Sequence, residues 1–267
     1  MSRGFSFASV ILSYFLVGGG MFTATLVAGR LHLSSEYVWY AVLAAGAFVG
    51  GFVAARASRG STIVEPAIGA VAVVGTIVAL AAKTQIGQMV WSMAQEQTMK
   101  FVGSVGISGI AGALIGAGIS EKLFGESTRS SIPWLLYSAL STFGASLLAT
   151  LFASLVFMTG HANQLDASVV ILIGLAAGCL IAGLAIGASA RVRPLVSALV
   201  GGGLGVAGFC ALVAGATPPD RDTQAGMIIL AVGGGILTLI GTAIGWAAVG
   251  RRQESNLPPA VGRVVPR

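Results

Sequence analysis

The chain has 267 residues, 55% hydrophobic and only 9% charged, with 39 glycines and a formal net charge of +6. A soluble domain carries roughly a quarter charged residues, whereas the mean hydropathy here is +0.91. These figures exclude a cytosolic enzyme, a secreted disulfide scaffold, a nucleic-acid module and a disordered chain, and leave a polytopic membrane protein.

Eight apolar runs are long enough to cross ~30 Å of hydrocarbon at ~1.5 Å per residue. They cover residues 5–29, 37–55, 64–82, 99–120, 134–159, 168–190, 195–216 and 225–249. Unbroken runs point to helices, because barrel strands alternate over about ten residues. The first run follows Arg3 as a signal peptide would, but it is too long for an h-region and no Ala-x-Ala site ends it. It is read as a retained helix.

The second run opens on Tyr37, Trp39 and Tyr40, amphipathic rings that favour the interface. The third is preceded by Thr62-Ile-Val-Glu65 and then Pro66, the pattern of a capping box at a helix start. Glu65 is therefore read as a cap and not as a transport carboxylate. With the runs essentially free of charge, a proton relay or ion-coupled pump is not expected. Between runs three and four, Ile86, Met89, Val90 and Met93 fall on one helical face. That segment is either an amphipathic helix lying on the membrane or a polar loop capping the bundle.

In the fourth run, Gly106-Ile-Ser-Gly109 is similar to the Gly-x-Ser-Gly of rhomboid proteases, a likeness that implies a serine nucleophile within the membrane. Such a serine needs a histidine base within hydrogen-bond reach. Neither histidine, His32 or His161, lies within a run, so no enzyme activity is expected.

The fifth run carries Ser138, Thr142, Ser146, Thr150 and Ser154 at steps of four, with Ser141 beside them. Each step drifts ~40° around the helix, so the hydroxyls form a shallow spiral. It either lines a narrow polar pathway or follows a neighbouring helix, its hydroxyls returned to the backbone at i−4. Cys179 and Cys210, in the sixth and seventh runs, read as small hydrophobes.

Glycines four apart recur as Gly112/Gly116, Gly174/Gly178, Gly183/Gly187, Gly201/Gly205 and Gly241/Gly245. Such pairs let helix backbones approach closely, within the chain or against a second copy or another membrane subunit. The runs Gly201–Gly203 and Gly233–Gly235 are read as packing surfaces; the alternative is a broken helix exposing carbonyls. His32 with Glu36, and His161 with Asp166, occupy two loops on one side. Loose spacing in exposed loops favours solvated residues over a metal site, and no cofactor, metal or nucleic-acid partner is expected. Residues 253–267, with Pro258, Pro259 and Pro266, read as a disordered tail.

Numbering the loops alternately separates the 15 basic residues. Arg3, Arg56, Arg59, Lys122, Arg129, Arg191, Arg193, Arg251, Arg252, Arg263 and Arg267 fall on one side. Arg30, Lys83, Lys100 and Arg221 fall on the other. The positive-inside rule puts both termini in the cytoplasm, and the Arg-, Ala- and Gly-rich composition suggests a bacterial inner membrane.

Leu43-Ala-Ala-Gly46 recurs as Leu175-Ala-Ala-Gly178, and the same shift pairs Gly69 with Gly201. A second shift pairs Leu114-Ile-Gly116 with Leu239-Ile-Gly241. The expected fold is thus an all-α integral membrane protein of eight transmembrane helices in two parallel four-helix repeats, 1–125 and 134–252. Two functions fit it: a transporter or channel for a small neutral solute along the fifth run, or a non-transporting structural or assembly subunit.

Overall fold

The computed structural model describes residues 6–32, 35–57, 63–83, 95–124, 134–158, 166–190, 194–215 and 220–255. Among these every regular element is helical: α1 (Phe7–Arg30), α2 (Glu36–Ala57), α3 (Val64–Lys83), α4 (Gln95–Phe124), α5 (Trp134–Met158), α6 (Ala167–Ser189), α7 (Leu195–Ala214) and α8 (Arg221–Ser255). Seven are long and apolar enough to span a membrane; the eighth, α3, contributes a shorter apolar stretch, Val64–Ala79. The bundle is that of a polytopic membrane protein.

Helix ends follow local chemistry. Ser6 adopts an extended conformation and its hydroxyl accepts the Ser9 amide, starting α1. Asp220 precedes α8, its carboxylate accepting the Thr223 amide at 3.0 Å. α7 stops at Gly215, whose φ of +79° suits a residue without Cβ. At the far end of α1 the Arg30 guanidinium donates to the Leu212 carbonyl in the last turn of α7, where unpaired carbonyls and the helix dipole favour a cation.

Two expectations change. α3 begins at Val64, which makes Glu65 its second residue and not the third position a capping box requires. Glu65 is fully buried, and its Oε1 accepts the Ser6 amide at 2.7 Å, 59 positions away. It caps, but at the start of α1. α8 also continues to Ser255, three residues into the segment read as a tail, because a helix leaving hydrocarbon keeps its own backbone bonds in water. Residues 256–267, and the 86–93 face read as amphipathic, lie outside the described residues.

The polarity of the bundle is turned inside out relative to a soluble protein. Ile107, Ile229 and Val196 are at least 70% exposed, while Ser138, Ser141, Thr142, Ser146, Thr238 and Thr242 are fully buried. Lipid supplies no hydrophobic drive between helices, so close contact of small residues must hold them. α1 is central, lying against α2, α3, α5 and α6. α2 packs on α4, α6 on α8, and α7 on both α5 and α8. α1 and α5 cross where Gly19 meets Gly144, backbone against backbone.

Candidate functional site

The hydroxyls of α5 point into the bundle. The Cβ of Ser138 lies 2.7 Å from where a Cβ on Gly201 would stand, and that of Thr142 lies 3.0 Å from the corresponding point on Gly205. α7 therefore approaches α5 over two bare glycines, one turn apart. Ser146 donates to the Thr142 carbonyl at 2.8 Å. Thr150 is half-buried, and the Ser154 side chain lies outside the described residues.

Among the described residues, most of the buried or half-buried hydroxyls for which a bond is recorded close on the carbonyl four residues back. Ser13, Thr23, Thr25, Thr76, Ser146 and Thr238 all do so, at 2.7–2.9 Å. Ser138, Ser141 and Thr142 do not; their oxygens are buried with no hydrogen-bond partner. A hydroxyl left unpaired in an apolar setting costs about 1–3 kcal/mol. Three of them stand together on a turn and a half of α5.

Cys179, which the sequence reading took as a small hydrophobe, and two threonines it passed over, Thr238 and Thr242, complete the surroundings. Cys179 of α6 is buried and free, within hydrogen-bond reach of the Ser146 and Thr238 hydroxyls. Thr238 of α8 donates to the Gly234 carbonyl, and one turn on Thr242 donates across to the Gly183 carbonyl of α6 at 3.1 Å. Two threonines four apart in an otherwise apolar helix were the available signal. At the end where α5 begins, Tyr137 and Glu65 are both buried.

Each of the ten paired glycines lies against a neighbouring helix, where an added Cβ would come closer than 3.0 Å. Gly112 and Gly116 face α2; Gly174 and Gly178 face α5; Gly183 and Gly187 face α8; Gly201 and Gly205 face α5; Gly241 and Gly245 face α6. The glycine triplets of α7 and α8 are helical throughout. Two open apolar grooves, of about 430 Å³ between α1, α2 and α5 and about 330 Å³ between α1, α5 and α6, flank the bundle. No hydroxyl of the α5 stripe lines either one.

Ser108, the serine of the rhomboid-like segment, is half-buried in α4, while His32 follows the end of α1. His161 lies outside the described residues, and among those described no three metal-ligating side chains gather. No protein family matches the chain, and no curated protein and no solved structure does so either.

Proposed function

We propose that the chain is an eight-span membrane protein of two parallel four-helix units that passes a small neutral solute along the α5 hydroxyls and performs no covalent chemistry. The observation that carries the pathway is the unpaired state of Ser138, Ser141 and Thr142. A stripe serving only helix packing has its own backbone carbonyls to close upon, as Ser146 does within α5 and as Ser13, Thr23, Thr25, Thr76 and Thr238 do on other helices. Hydroxyls withheld from them are available to a passing molecule.

Equivalent contacts support the duplication. Gly69 lies against Ser13 and the Tyr14 nitrogen, and Gly201 lies against Ser138 and the Ala139 nitrogen. Gly46 meets the Gly20 carbonyl and Ala24 Cβ; Gly178 meets the Ala145 carbonyl and Ala149 Cβ. Gly116 meets Phe48 O and Phe52 N; Gly241 meets Leu180 O and Leu184 N. Gly51 faces the Ala113 carbonyl as Gly183 faces that of Thr238, and Gly109 faces Val74 as Gly234 faces Val206. In every pair the second and third helices advance by 132 residues, and the first and fourth by 125. Gly19 and Gly144, which touch, are themselves 125 apart. A residue meets its own counterpart only near an axis relating two copies, and an even number of helices per copy sets that axis along the membrane normal.

The reading places both termini on the basic, cytoplasmic side of a bacterial inner membrane. It assigns the paired glycines to packing within the chain, since each already faces a helix of the same molecule. The test is water accessibility along α5. In a Cys179→Ala, Cys210→Ala background, single cysteines replacing Thr142, Ser146 and Thr150 are exposed to a small membrane-impermeant thiol reagent in intact cells. Labelling at position 146, with lipid-facing positions of α5 silent, is the expected result. Silence at all three in a folded protein overturns the pathway and leaves the structural-subunit reading.

A further inference from the structure

The two units differ where their cores should match. The core of the first contains Val17, Met21, Ala47, Val73 and Ala113, all apolar and all buried. The same places in the second unit, by the shifts of 125 and 132, hold Thr142, Ser146, Cys179, Gly205 and Thr238. Four of the five are hydroxyls or a thiol, each fully buried. Met21 and Val73 give way to Ser146 and Gly205, so two large side chains are replaced by small ones.

These groups converge from three helices. The Ser146 and Thr238 hydroxyls both reach the Cys179 thiol. Because each sends its proton to a backbone carbonyl, at 2.8 Å in both cases, its oxygen keeps accepting capacity. Thr142 Oγ1, with no partner, can both donate and accept. α7 closes the fourth side over glycines: a Cβ on Gly202 would stand 2.7 Å from Thr238 Oγ1. No carboxylate or cation belongs to the set, so the chemistry suits an uncharged molecule that gives and receives hydrogen bonds. The closeness of α7 limits its size.

We propose that the core of the second unit binds a neutral hydrogen-bonding molecule of about the size of water between Thr142, Ser146, Cys179 and Thr238, while the equivalent core of the first unit stays dry. This rests on the two-unit reading and makes the first unit scaffold and the second the working half. Transport is not required by it; a molecule held in a closed pocket satisfies the same groups.

The test uses the native thiol in the site's wall. The thiolate is the reactive form, and it is strongly disfavoured where no polar group or water can solvate it. Full-length protein carrying Cys210→Ala keeps Cys179 as its single thiol; a matched protein carries Ala47→Cys with Cys179→Ala and Cys210→Ala. Both are treated in liposomes with methyl methanethiosulfonate, a small neutral reagent that permeates the bilayer, and modification is followed by intact mass. Cys179 is expected to react at least tenfold faster than a cysteine at position 47. Thr142→Val, which imports the first unit's own residue without changing shape, is expected to slow Cys179 several-fold. Equal rates at the two positions, or a Cys179 rate indifferent to Thr142→Val, overturn the proposal. If Ala47→Cys fails to fold, the Thr142→Val comparison decides alone. A fast Cys179 beside unlabelled cysteines at positions 142, 146 and 150 keeps the site and removes the pathway.

Discussion

Replacing Gly19 by alanine puts a methyl group where α1 and α5 cross. The new Cβ would lie 2.5 Å from Gly144 Cα, a backbone atom that no rotamer change can move. Carbon atoms settle at about 3.5–4.0 Å, so the helices must part by about 1 Å. A gap of that size forfeits up to half of each dispersion contact, worth ~0.1–0.2 kcal/mol, and a crossing has on the order of 30 such atom pairs. The loss is about 2 kcal/mol, within the usual range for overpacking. Alanine recovers about 1 kcal/mol of helix propensity, so the net destabilisation of Gly19→Ala is about 1 kcal/mol. Gly75→Ala is the matched control, because Gly75 is helical and nothing lies within 4 Å of its absent Cβ. There the propensity gain stands alone, and the two variants should differ by about 2 kcal/mol, on the order of thirtyfold in the unfolding equilibrium. Reversible unfolding in mixed micelles, followed by circular dichroism, measures both. Equal stability of the two variants, within about 0.5 kcal/mol, would refute the view that α1 and α5 are held by direct backbone contact.

Two further outcomes follow from the helix ends. Glu65→Ala removes the acceptor for the Ser6 amide in a buried setting and should cost about 1–3 kcal/mol, with faster amide exchange in the first turn of α1. Glu65→Gln retains a carbonyl oxygen and should cost less, so wild-type exchange in the alanine variant would show that Glu65 does not hold that end. At α8, the hydrogen bonds from Thr223 hold the Asp220 carboxyl below its ordinary value of 3.8. An acid whose folded value is depressed stabilises the fold above its unfolded value, and the benefit disappears as pH falls through the folded one. Amide protection in the first turn of α8 should therefore persist at neutral pH and decline below about 3.8, whereas Asp220→Asn should flatten that dependence. A wild-type profile unchanged by Asp220→Asn would assign the protection to other groups.

The apolar helices were legible because hydrocarbon demands long apolar runs: all eight runs coincide with helices among the described residues, seven of them long and apolar enough to span. Helix ends were less so. Arg251 and Arg252 end the apolar run but not α8, since a helix needs no lipid to keep its backbone paired. Glu65 announced a cap, but its partner is Ser6, and nothing local to Thr62–Pro66 points 59 residues upstream. The hydroxyl spacing of α5 identified a face without saying what that face meets. That depends on Gly201 and Gly205 of α7, whose lack of side chains brings a second backbone up to Ser138 and Thr142. The convergence of Ser146, Cys179 and Thr238 draws on three helices and is a property of the packed bundle alone.

The two tethers of α1 give the helix a mechanical character. Through Ser6 it is fastened to α3 at one end, and through Arg30 to α7 at the other. Between them it rests on α5 at Gly19 and Gly144, with the Leu148 side chain packed against Gly18 beside the contact. A rod clamped at both ends and borne on a contact near its middle acts as a torsion bar. A twist of α7 relative to α3 would act on α1 at both ends and so bear on the crossing, beside Phe15 and Leu148. α1 thereby links α3 to α7 along the length of one helix.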